Sequence, residues 1–234
     1  SPVAAPSPPA STPPPAHAPM LRAVLWAGLL SGACSFVYEI GWIRLLNQAL
    51  GTTVHSFELM LASFLLGLAG GGAWVHRRGA RLDDPLRTAG HAQVAMGVAA
   101  LLSLLAFAQS FDWTAALVQA LSRTDGGYQL FLLGSAGVAM AVMLPAAFFA
   151  GTTLPLFTLA LLRGGGGEAS IGRLYAANTL GAIAGVLLAT HVLLPLLGVR
   201  PGLMLAAAGD IAIGFWLLAH ARGEPQPRRV ALLA

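Results

Sequence analysis

Residues 172–185, GRLYAANTLGAIAG, open an apolar run with a basic residue and an aromatic, set one amide inside it, and follow with a Gly-x-x-x-Gly step. Arg173 and Tyr175 suit the headgroup level of a bilayer, and Asn178 requires a hydrogen-bond partner inside protein. Gly181 and Gly185 form a flat strip that lets a second helix approach closely. The stretch is a membrane helix built for a packed bundle, since a lone anchor would need neither the amide nor the strip.

The rest of the chain agrees. It is 56% hydrophobic and 9% charged, contains no Lys, and has a formal net charge of +4. Several apolar runs reach the roughly 20 residues needed to cross a hydrocarbon core about 30 Å thick, which excludes a soluble fold. The Arg residues cluster in short loops, a pattern that reports topology, so no nucleic-acid partner is expected. The single Cys34 allows neither an intrachain disulfide nor a multi-Cys metal site. No cofactor is expected.

Hydropathy predicts six spans, near 22–46, 54–76, 89–109, 129–150, 174–197 and 201–221. Arg77, Arg78, Arg81 and Arg87 fall in one loop, Arg163 and Arg173 in another, and Arg222, Arg228 and Arg229 in the tail. The alternate loops carry only Arg44, Arg123 and Arg200. The positive-inside rule then puts both termini on the cytoplasmic side of a multi-pass membrane protein. Residues 1–20 read as a Pro/Ala-rich disordered segment, 21–221 as a six-helix membrane domain, and 222–234 as a short basic cytoplasmic tail.

A continuous helix through span four would outrun the bilayer, so a helix break is expected at Pro145, Gly151 and Pro155. Phe111, Trp113, Leu117, Val118 and Leu121 predict a separate short helix lying on the outer interface.

Tyr38, Glu39, Arg44, His55 and Glu58 are expected together at the outer end of the first hairpin. Glu39 and Arg44, five apart, point away from each other on a helix, whereas His55 and Glu58, three apart, share a face. Two readings weigh equally: a buried polar clamp, or a proton or cation site. Asp210, near the middle of span six, needs a partner, with Asn178 or Thr190 as candidates. His55 and His191, at similar depth, are the residues that could ligate a haem, although no ligand-spacing motif accompanies them and no metal site is expected. Gly67 and Gly71 repeat the spacing of Gly181 and Gly185, so both helices are expected to make the closest packing contacts. Gly164–Gly167 lacks the Lys of a phosphate loop and reads as a linker.

Several strings, SG at 31–32, VYE at 37–39, GTTV at 51–54, FLLG at 64–67, GTTLP at 151–155, GRLYAANTLGA at 172–182 and LPLLG at 194–198, together resemble the membrane half of bacterial fused transporter-like/spermidine synthase-like proteins. The resemblance covers about residues 23 to 218. It implies an all-α integral membrane fold, a six-transmembrane-helix bundle like half of a major facilitator type transporter, with three-plus-three repeated helices; the twin Gly-Thr-Thr strings at 51 and 151 are a weak sign of that repeat. In that family a cytoplasmic aminopropyltransferase-like domain follows the membrane helices. The chain ends at Ala234, so that domain is expected to be absent from it.

The leading functional expectation is therefore a non-catalytic scaffold or partner-binding subunit, embedded in the lipid bilayer with other membrane subunits or as a homo-oligomer. The first alternative is a carrier of a small cation or polyamine, acting as a dimer through Glu39, Glu58 and Asp210. The second is an accessory subunit of a membrane electron-transfer complex.

Overall fold

The computed structural model describes residues 17–51, 54–120 and 125–223. The elements are α1 (His17–Leu50), α2 (Val54–Arg78), a single 3-10 turn (Gly79–Arg81), α3 (Pro85–Ala120), α4 (Asp125–Arg163), α5 (Glu168–Leu188), a π turn (Ala189–Leu193), the short α6 (Leu194–Leu197) and α7 (Val199–Gly223). All described regular structure is helical, the form in which each apolar run satisfies its own backbone polar groups. Six stretches are long and apolar enough to cross a membrane: Ala18–Leu50, Phe57–Arg81, Pro85–Gln119, Gln129–Arg163, Glu168–Leu197 and Val199–Ala221. They match the six spans expected. The segment assigned to 1–20 lies outside the described residues up to 16, and its last residues already belong to α1. The basic tail lies outside them from residue 224 onward.

Two expectations are corrected. The break at Pro145, Gly151 and Pro155 does not occur: α4 is helical through all three, and its 39 residues span about 58 Å at 1.5 Å per residue. The nearby hydroxyls serve a different carbonyl from the two that the prolines leave without a donor, those of Ala141 and Gly151. Thr152 Oγ1 donates to the Phe149 carbonyl at 2.7 Å, and Thr153 Oγ1 lies 3.2 Å from the same oxygen. Packing along α2 and α3 supports the continuous helix past the prolines. Nor is there a separate interfacial helix before Ala120, because Phe111, Trp113, Leu117 and Val118 extend α3 itself. Leu121 and Arg123 lie outside the described residues.

Local chemistry explains the ends. Asp84 caps α3, with Oδ1 accepting from the Arg87 N–H at 2.9 Å, and Pro85 follows it at the first helical position, where its missing donor costs nothing. At the end of α4, Gly165 takes φ +81°, and the Gly166 N–H donates to the Leu161 carbonyl at 2.8 Å. The glycine run is thus the left-handed cap of α4 as well as a linker. The Arg163 guanidinium reaches back to the carbonyls of Leu82 and Gly79, tying this end to the turn between α2 and α3.

The helices pack as two interlocked halves. Gly67 and Gly71 on α2 lie against Leu144 and Phe148 on α4, while Gly181 and Gly185 on α5 lie against Leu29 and Ala33 on α1. Gly97 on α3 meets Ala207 and Ile211 on α7, and Gly214 on α7 meets Gly90 and Val94 on α3. Nearly equal shifts along the chain carry each member of the first half onto its counterpart in the second, 115 residues for α1 to α4, 114 for α2 to α5 and 117 for α3 to α7. The contacts run parallel for α2 with α4 and α1 with α5, and antiparallel for α3 with α7. An odd number of helices per half gives the halves opposite directions, so a pseudo-twofold axis relates them. The Gly-Thr-Thr strings are not repeat partners, since Gly51 follows the end of α1 and Gly151 lies inside α4.

Candidate functional site

Consecutive residues on a helix point about 100° apart, so Tyr38 and Glu39 leave α1 in different directions. Tyr38 enters the core between α1 and α7. Its O–H donates to Asp210 Oδ2 at 2.6 Å, and both side chains are buried. Trp42, one turn on, stacks on Tyr38 with ring centroids 5.2 Å apart, and its Nε1–H donates to Ser103 Oγ on α3 at 2.9 Å. Ser103 in turn donates to the Ala100 carbonyl at 2.7 Å. This polar chain fastens α7, α1 and α3 inside a core of apolar side chains that includes Phe107 and Met143.

The symmetry-related position is also polar. Under the shifts that relate α1 to α4 and α3 to α7, Tyr38 corresponds to Thr153 and Asp210 to Gln93. Thr153 Oγ1 lies 3.4 Å from Gln93 Oε1, and both side chains are buried. Each pair leaves one polar atom without a partner among the described residues, Asp210 Oδ1 in one and Gln93 Nε2 in the other.

Glu39 faces instead a cavity of about 220 Å3 where α1, α2, α4 and α5 meet. Because α1 corresponds to α4 and α2 to α5, this cavity lies where the two halves face each other. Ser31, Ser35 and Glu39 recur at four-residue spacing along its α1 wall; Asn178 on α5 and Thr153 on α4 line it opposite, and Phe36 and Phe64 supply aromatic surface. The small Gly32 gives Asn178 its place: a Cβ there would fall 2.9 Å from Asn178 Oδ1. Neither Glu39 nor Asn178 has a side-chain hydrogen bond or ion pair among the described residues. Glu39 and Asn178 are each partly exposed.

The expected gathering at the end of the first hairpin is therefore split. Tyr38 belongs to the α1–α7 lock and Glu39 to the axial cavity. Arg44 is exposed on α1, while His55 and Glu58 pair with each other at 3.1 Å with side chains 57% and 61% exposed, a solvated pair outside both sites. Asp210 takes Tyr38 as its partner, not Asn178 or Thr190; the Thr190 hydroxyl donates to the Val186 carbonyl at 2.7 Å. His191 is exposed in the π turn, with Nδ1 2.8 Å from Thr190 Oγ1 and 3.2 Å from the Leu187 carbonyl. No three His, Cys, Asp or Glu residues gather to hold a metal among the described residues.

Reading the sequence missed Gln93, Ser103 and Thr153 as partners and Ser31 and Ser35 as cavity walls. Gln93, an amide inside an apolar span, could have been marked on the same cost argument as Asp210. The hydroxyls could not, because Ser and Thr often satisfy themselves on their own helix.

No protein-family model matches the chain, and no solved structure matches it. It is 32% identical, over 212 residues, to the polyamine aminopropyltransferase of Mycobacterium tuberculosis; the match covers 85% of this chain and 36% of that relative. The Mycobacterium bovis protein of the same name matches with the same identity and coverage. The chain thus spans little more than a third of the length of these curated relatives. It is a distant homologue of polyamine aminopropyltransferases whose described part is a bundle with six helices apolar and long enough to cross a membrane.

Proposed function

We propose that the chain is a non-catalytic membrane scaffold of an aminopropyltransferase-like system, resident in a bacterial inner membrane with both termini cytoplasmic. The observation that carries this reading is the distribution of polar groups. Tyr38, Trp42, Ser103 and Asp210 are spent on joining the bundle's own helices, whereas Glu39 and Asn178 stay unpaired on a face that remains partly open. An unpaired carboxylate left partly open within a membrane span is costly, so that face favours cover by protein. The relatives' name supports transfer of aminopropyl groups by the remainder of such a system, since this match takes up only 36% of them. Purification of the tagged chain from native membranes in mild detergent, followed by mass spectrometry, tests the reading. A stoichiometric partner is the expected result; a chain recovered alone and monomeric refutes it.

A second reading, a dimeric carrier of a small cation or polyamine, is favoured by the axial cavity. Carriers built from inverted repeats bind substrate where the repeats meet, near mid-membrane. Uptake into proteoliposomes that depends on Glu39 would support it, and equal flux in empty liposomes would refute it.

A further inference from the structure

We propose that the axial cavity binds the protonated amino end of a primary alkylamine. The inference deepens the carrier reading, on which it rests for the fate of the ligand after binding. A carboxylate in a membrane span needs an opposite charge, and Glu39 has none among the described residues. The polar groups around it can all accept hydrogen bonds: the Glu39 oxygens, Asn178 Oδ1, and the hydroxyls of Ser35 and Thr153. An ammonium group is the complementary ligand, with three N–H donors and one positive charge. A bare metal ion fits less well, since the site offers a single carboxylate and hydroxyls where such ions prefer a fuller oxygen shell. The remaining walls suit the rest of the molecule, because Phe36 and Phe64 present rings to a cation and its methylene groups. At about 220 Å3 the cavity lies just below the usual range for drug-sized ligands, about 300 Å3 and upward. It therefore suits one short chain or one end of a longer amine.

The pseudo-twofold relation sharpens the assignment. The shift of 115 residues that pairs Leu29 with Leu144 and Ala33 with Phe148 carries Glu39 onto Leu154, and the shift of 114 that pairs Gly67 with Gly181 and Gly71 with Gly185 carries Phe64 onto Asn178. The charge is therefore present on one side of the axis only, and the equivalent positions opposite are apolar. A site built this way orients a ligand with one charged end and one hydrocarbon end, and it offers nothing to a second charge held close to the first.

Thermal unfolding of the full chain in nanodiscs tests the proposal, with butylammonium as the probe, 1-butanol as its neutral counterpart, and sodium chloride at matched ionic strength. Butylammonium is expected to raise the unfolding midpoint in a saturable way, with no effect of butanol or sodium. Glu39→Gln is expected to abolish the shift while leaving the unliganded midpoint near that of the parent, and Ser35→Ala to weaken apparent binding several-fold. An absent shift, an equal shift with sodium, or a shift that survives Glu39→Gln overturns the proposal. Should Glu39→Gln fail to accumulate, labelling of Glu39 by a hydrophobic carbodiimide in the parent protein replaces it. Protection by butylammonium is then the expected result, and labelling unchanged by butylammonium overturns the site. Binding without flux in proteoliposomes would refute the carrier reading and leave the site standing; flux of another solute without amine binding would do the reverse.

Discussion

Tyr38 and Asp210, 172 positions apart, meet at 2.6 Å in the core, and the symmetry-related place between the halves is taken by Thr153 and Gln93 at 3.4 Å. The two halves are thus joined twice at equivalent places in different chemistry, by a phenol with a carboxylate and by a hydroxyl with an amide. The first is the shorter and includes an acid, so it contributes more to holding the bundle closed.

Tyr38→Phe removes the donor and leaves Asp210 with neither oxygen partnered. We expect a loss of about 1 to 3 kcal/mol, read as a lower unfolding midpoint in detergent. Adding Asp210→Leu to Tyr38→Phe is expected to cost less than the sum of the single changes, because it removes the buried carboxylate left without a donor. Strict additivity would show that the pair is not coupled.

The close helix contacts predict a graded response to added methyl groups. A Cβ at Gly181 would collide with the Leu29 carbonyl and one at Gly71 with the Phe148 carbonyl, while one at Gly172 meets nothing within 4 Å. Gly181→Ala and Gly71→Ala should each destabilise by about 1 to 3 kcal/mol. Gly172→Ala should be neutral or slightly stabilising. Equal midpoints for all three would contradict the packing described.

Because α4 is unbroken, neither proline acts as a hinge. Pro145→Ala and Pro155→Ala restore a backbone donor inside a helix and should leave stability unchanged or raise it by up to about 3 kcal/mol. Helical content by circular dichroism and the unfolding midpoint check this together. A loss of folded protein in either variant would mean that a bend at that proline is needed.

Arg163 holds the turn between α2 and α3 through the carbonyls of Leu82 and Gly79. Arg163→Met should free that turn and lower stability by about 1 to 2 kcal/mol. Trypsin should then cut after Arg81 several-fold faster, followed by mass spectrometry of the released ends. An unchanged cleavage rate would show that the turn is held by other contacts.

Much of the architecture was legible in the chain. Apolar runs of about 20 residues between Arg-bearing loops mark membrane helices by length and composition, which depend on no partner. Asn178 beside Gly181 and Gly185 likewise announced a packed helix. The helix break at Pro145, Gly151 and Pro155 was wrongly expected because proline's local cost was weighed without α2 and α3, the helices packed along α4.

The grouping of polar residues was not legible. Tyr38, Glu39, Arg44, His55 and Glu58 are close in sequence, yet they divide among a core lock, an axial cavity and an exposed pair. The direction of each side chain follows from the helix period, but what it meets depends on which helix lies across from it. By itself the sequence determined that the chain makes helices long and apolar enough to cross a membrane, since hydrophobic length is a property of each segment alone. Only the tertiary structure decided that Asp210 belongs to Tyr38 and that Glu39 and Asn178 line one cavity where α1, α2, α4 and α5 meet. Those pairings come from packing helices far apart in the chain, and no local energy specifies them.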